Sequence, residues 1–94
     1  MTRDAVLAWL HARRPVPPET LRQRLERAVE HHVPPPRTTL PAYLAQVGSA
    51  LLDGVVRQPK GGRELALDLL AADTFATYAF EAQAEHGGGS GHET

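Results

Sequence analysis

From Arg63 to His86 the chain runs without a proline or glycine, and no other stretch of its 94 residues is as long. The run is rich in Ala and Leu, the residues that lose least freedom on entering a helix. It predicts one long helix with an unusual distribution of apolar groups. Leu65, Leu69, Ala72, Ala76, Ala79 and Phe80 define one face, while Leu67, Leu70, Ala71, Tyr78 and Ala82 lie largely on another. Only Glu64, Asp68, Asp73, Glu81 and Glu85 interrupt them. A helix apolar on more than one side must be covered on more than one side. Three shorter helices, or a second copy of the chain, must do the covering.

Proline and glycine mark off those three helices. The first is expected from about Arg3 to Ala12, with Thr2 as N-cap, Asp4 complementing the N-terminal dipole, and Val6, Trp9 and Leu10 on one face. Pro15-Val16-Pro17-Pro18 is a stiff connector that stops it. The second helix is expected over about Pro18 to His31, with a narrow stripe of Leu21, Leu25, Ala28 and Val29 and an i,i+4 pair of Arg22 with Glu26. Val33-Pro34-Pro35-Pro36 then favours an extended spacer. The third helix, about Leu40 to Arg57, has the cleanest amphipathic pattern: Leu40, Tyr43, Leu44, Val47, Leu51 and Val55 inward, Gln46, Ser49, Asp53 and Arg57 outward. Thr39 is its expected cap, and Asp53 with Arg57 forms a second candidate pair. Gly48 inside it either admits a neighbouring helix at close range or is simply tolerated.

The expected fold is therefore all-α, a small bundle of four helices joined by Pro- and Gly-rich connectors. Residues 1–86 form one helical domain, and 87–94 a flexible Gly-rich tail. Isoleucine is absent and no stretch alternates apolar with polar residues, so strands have no support. No apolar run approaches the length of a membrane span, and Met1-Thr2-Arg3-Asp4 carries an acid where a signal peptide carries only bases, with no small-residue cleavage site after it, so a cytoplasmic setting is expected.

Several functional classes are weakened by the same residues. Without cysteine there is no disulfide, thiolate metal site or thiol nucleophile. The net charge of −1 argues against general capture of nucleic acid. Arg13, Arg14, Arg22, Arg24 and Arg27 are interleaved with Glu19, Glu26 and Glu30, which would repel phosphate. Residues 1–63 carry a net +5 and residues 64–94 a net −6, so the basic face of the second helix is expected near the acidic fourth, within the fold or across a dimer, the other reading being a basic partner for the last helix.

Candidate chemistry does not converge. His31 and His32 are adjacent and point about 100° apart on a helix, and no His-x-x-x-His occurs among the five histidines. Asp68 and Asp73 project about 140° from each other. Ser49 lacks a nucleophile-elbow context. No catalytic residue, cofactor or metal is assigned. The expectation is a non-catalytic helical protein that acts through protein–protein contact, as a homodimer or with another protein. Leu67, Leu70, Phe75 and Tyr78 are its candidate interface, and Trp9, Tyr43 and Phe80 are expected in the core. The alternative is a ligand-binding or enzymatic domain with a pocket between the third and fourth helices, using Asp68, Asp73 or Tyr78 as polar contacts.

Overall fold

A computed structural model describes residues 1–58 and 61–91, with backbone alone for 86–91. Among the described residues there are four helices and no strand: α1 (Arg3–His11), α2 (Glu19–His31), α3 (Leu40–Arg57) and α4 (Gly62–Gly91). The all-α expectation is met. The long helix expected over 63–86 is assigned through Gly91. Residues 92–94 of the expected tail, and Pro59 and Lys60 of the last connector, lie outside the described residues.

The helix starts follow from local chemistry. The Thr2 hydroxyl accepts the Ala5 N–H at 3.1 Å, and the Thr39 hydroxyl accepts the Ala42 N–H at 3.3 Å, each satisfying an amide that the helix leaves unpaired. Pro18 precedes α2 without a side-chain cap. At the other end of α2, His31 and His32 donate from Nδ1 to the carbonyls of Arg27 and Ala28, both at 2.8 Å, so the imidazoles close the last turn.

α3 and α4 form the main pair, running antiparallel across a short connector, with α2 laid on α4 and α1 on α2. The core draws on all four helices: Val6 and Leu10; Leu21, Leu25, Ala28 and Val29; Tyr43, Leu44, Val47 and Leu51; Ala71, Ala72, Phe75, Tyr78 and Ala82. The stripe expected on α2 is thus buried, and so is the centre of the one expected on α3, whose ends Leu40 and Val55 are half-buried. Tyr43 is fully buried, and its hydroxyl donates to the His32 carbonyl, tying α3 to the end of α2. Gly48 resolves its two readings in favour of close approach. A Cβ there would stand 3.2 Å from both the Ala72 carbonyl oxygen and the Phe75 Cβ.

The fourth helix departs from its expected faces. It buries one stripe, Asp68, Ala71, Ala72, Phe75, Tyr78 and Ala82. This stripe lies on the seam between the two apolar faces read from the sequence, taking Ala72 from one and Ala71, Tyr78 and Ala82 from the other. Phe75, at the centre of the seam, is completely buried, whereas Phe80 lies about 140° round the helix from it and is 78% exposed. The expectation of Phe80 in the core is therefore corrected. Trp9 and Tyr43 are placed as expected, Trp9 packing half-buried against the core.

The charge separation along the chain becomes cross-helix pairing. Arg24 of α2 donates from Nε to Asp68 of α4 at 2.7 Å, with both side chains largely buried. Arg13, just after α1, reaches Glu85 at 3.0 Å and Glu81 at 3.3 Å on α4. Its guanidinium lies 3.7 Å from the centroid of the Trp9 ring, whose Nε1 donates to Glu85 at 3.0 Å. Trp9 in turn meets Tyr78 edge-on, with centroids 5.6 Å apart. The expected Arg22–Glu26 pair forms at 2.9 Å, and His11 joins it at 2.8 Å from Glu26. No ion pair joins Asp53 and Arg57. Among the described residues no helix is long and apolar enough to cross a membrane.

Candidate contact surface

The candidate interface residues are placed on different sides of the fourth helix. Phe75 and Tyr78 belong to the core. Leu67 is half-buried against it, and Leu70 is 49% exposed. Phe75 is enclosed by this chain itself and is not available to a partner. An outward apolar face exists, but other residues build it. Leu52 and Val56 on α3, with Leu69 and Phe80 on α4, are among the large apolar side chains left open.

Between those helices runs a groove of about 530 Å³, walled by Ala42, Ala45, Ser49 and Leu52 of α3 and by Ala72, Ala76, Phe80 and Gln83 of α4. Its shallow floor follows from Gly48, which brings the helix backbones together. None of the twelve residues lining it is charged. It shares Thr39, Pro41 and Gln83 with a second hollow of about 740 Å³, lined by Met1, Ala5, Trp9 and Leu40. Glu85 also lines the second hollow, so only the first is free of charged side chains. Large apolar patches on a small protein mark contact sites, whereas scattered single residues do not.

The signal for this face was present in the sequence as a weaker second stripe. Ala42, Ala45, Leu52 and Val56 recur at spacings of 3, 7 and 4 on α3, and Leu69, Ala76 and Phe80 at 7 and 4 on α4. The small residues conceal it, because alanines score weakly as an apolar stripe while leaving room for a groove.

A polar cleft of about 560 Å³ opens on the opposite side of α4. It is lined by Arg24, Arg27, His31 and His32 of α2, Leu51 of α3, and Glu64, Leu67 and Asp68 of α4. Asp73 and Tyr78, the other polar residues expected in a pocket, do not line it: Asp73 is exposed elsewhere and Tyr78 faces Trp9. Among the described residues no group of three or more His, Asp or Glu is placed to hold a metal ion. The hydroxyl of Thr74 donates to the Leu70 carbonyl at 2.8 Å, a helix-internal bond.

The shifted proton affinities of Glu26, Tyr43 and Tyr78 each have a structural cause. The hydrogen bond from His11, helped by Arg22 and opposed by burial, holds the Glu26 carboxyl below its ordinary value. Burial pushes the hydroxyls of Tyr43 and Tyr78 up, with Glu81 adding to the effect at Tyr78. None of the three lines the apolar groove.

No family model, curated protein or solved structure matches the chain.

Proposed function

We propose that this is a non-catalytic helical protein that acts through protein–protein contact, self-associating through the α3–α4 face. The observation that supports the reading is the uncharged groove between α3 and α4, flanked by the exposed side chains of Leu52 and Phe80. Hydrophobic burial is worth about 25 cal/mol per Å² of apolar surface removed from water, so covering these side chains is favourable in any partner that fits. The chemistry-bearing side chains do not converge in the same way. Arg13, Arg22, Arg24, His11, His31 and His32 all make contacts that hold helices or close helix ends. A homodimer in a cytoplasmic setting is the simplest form of this function.

Thermal unfolding followed over a hundredfold range of protein concentration tests the reading. Association stabilises the folded chain by mass action, so the midpoint should rise with concentration. Leu52→Asp, at an exposed position, should leave the dilute midpoint nearly unchanged and remove the concentration dependence. The same experiment addresses a ligand pocket in the cleft beside Arg24 and Asp68. A midpoint independent of concentration, but raised by a metal, nucleotide or diphosphate, would replace the contact reading with a binding one.

A further inference from the structure

The polar cleft between α2 and α4 shares no lining residue with the apolar groove, so its use is independent of the contact reading. Its volume of about 560 Å³ falls within the roughly 300–1,000 Å³ of small-molecule pockets. Arginines and acids line it in equal number, and one pair is spent within the fold: Arg24 donates to the buried Asp68. The other two, Arg27 on α2 and Glu64 on α4, are exposed. Among the described residues neither of those side chains makes a hydrogen bond or an ion pair, with the other or with any neighbour. Two side chains of opposite charge thus border one cleft from two helices and stay more than 4.0 Å apart. His31 and His32 border the same space. Each imidazole donates its Nδ1 proton to a carbonyl of α2, so in the neutral ring Nε2 is a bare acceptor. Ala28, Leu51 and Leu67 supply the apolar part of the lining.

This set of groups discriminates between ligands. A simple anion would meet Arg27, but also Glu64, two Nε2 lone pairs and the negative end of α2. A metal ion would meet Arg27, and among the described residues no three ligating side chains are assembled for it. A molecule that carries both charges gives each group its complement. We propose that the cleft binds a small aliphatic zwitterion, of the chemical class of free amino acids and short peptides. Its carboxylate takes the guanidinium of Arg27, whose planar fork matches two carboxylate oxygens. Its ammonium has three donors, which suit the Glu64 carboxylate and the Nε2 acceptors of His31 and His32. Its aliphatic part lies against Leu51 and Leu67. Losing either ligand charge leaves one of the cleft's own charges without a partner.

Nuclear magnetic resonance titration of the full chain tests the site, read on the imidazole signals of His31 and His32. Leucine should shift them saturably. Isocaproate is leucine without its ammonium, and isoamylamine is leucine without its carboxylate. Each should bind at least about tenfold more weakly than leucine, the share of one charge-assisted contact. Arg27→Gln and Glu64→Gln replace exposed side chains, so circular dichroism and the thermal midpoint should stay those of the parent. Arg27→Gln should bring leucine down to the level of isoamylamine, and Glu64→Gln should bring it down to the level of isocaproate. Inorganic phosphate or isocaproate binding as tightly as leucine overturns the proposal in favour of an anion site. Isoamylamine binding as tightly overturns it in favour of a cation site. No saturable shift with leucine or leucyl-leucine at tens of millimolar overturns the site altogether. None of these outcomes involves the mass of the chain, so the contact reading stands or falls separately.

Discussion

Phe75 and Phe80 stand five residues apart in one helix and should respond to truncation in opposite ways. Phe75 is completely enclosed, packed where Gly48 lets α3 approach α4. Replacing it with alanine removes a buried ring and leaves a cavity that two closely apposed helix backbones cannot fill, which costs about 3–5 kcal/mol. A chain of this size is stabilised by only about 5–14 kcal/mol in all, so Phe75→Ala sacrifices a large fraction of it. At about 4–8 °C per kcal/mol the thermal midpoint should fall by roughly 12–40 °C. Phe80 is 78% exposed, and Phe80→Ala should change the stability of the dilute monomer by no more than about 0.5 kcal/mol. The assay is urea unfolding at low micromolar protein, followed by circular dichroism and by the fluorescence of Trp9, the sole tryptophan. Equal losses from the two substitutions, or a larger loss from Phe80→Ala, would refute the placement of the buried stripe on the seam of α4.

Other perturbations probe the helix contacts and the shifted groups. Gly48→Val should destabilise by about 1–3 kcal/mol in the same unfolding assay, because its side chain meets the Ala72 carbonyl and Phe75. Gly54→Ala, where nothing lies within 4 Å of a new Cβ, should stabilise by about 0.5–1 kcal/mol, and a loss there would contradict the open setting of that turn. Glu26 has its folded affinity for a proton lowered, so its stabilisation is present above its unfolded value near 4.5 and is lost as pH falls through the lower folded value. Glu26→Gln should accordingly cost stability at pH 7, with the deficit shrinking below pH 4.5. An unchanging deficit down to pH 2 would show that the His11 and Arg22 contacts do not act through charge. For Tyr43 and Tyr78, the ultraviolet phenolate signal should appear only above the ordinary pH 10 in the folded chain and return to pH 10 in denaturant.

The legibility of this chain differed from helix to helix for a physical reason. On α2 the apolar residues crowd onto one stripe, and on α3 the stronger of two stripes holds Tyr43, Leu44, Val47 and Leu51; these are the residues that are buried. Thr2 and Thr39 were readable as caps because a hydroxyl just before a helix has one dominant use. On α4 apolar residues surround most of the helix, so periodicity supplies two candidate faces and no means of choosing. The choice is made by the partners. Arg24 draws Asp68 inward and Gly48 admits Phe75, and both fix the rotation of α4 with Phe80 outside. An acid on the buried stripe is the feature least accessible to pattern reading, since its burial depends on an arginine 44 residues away.

The charge reading was sound in its general form and incomplete in its particulars. Basic N-terminal and acidic C-terminal regions do meet, through Arg24–Asp68 on α2 and α4. Arg13 adds cross-helix pairs to Glu81 and Glu85 from the end of α1, where it also lies over Trp9. In the sequence Arg13 is indistinguishable from Arg14, whose guanidinium turns back to the carbonyls of His11 and Arg13. The candidate surface was legible only as a requirement that something cover α4. Its location needed the rotation of that helix.

The most direct measurement is the mass of the chain in solution by sedimentation equilibrium, from micromolar to millimolar, for the unmodified protein and for Phe80→Asp. The account requires the unmodified mass to climb from 10.2 kDa toward twice that value while the variant, equally helical, stays at 10.2 kDa. An unmodified chain that remains at 10.2 kDa throughout, or a variant that associates as well as its parent, would contradict it.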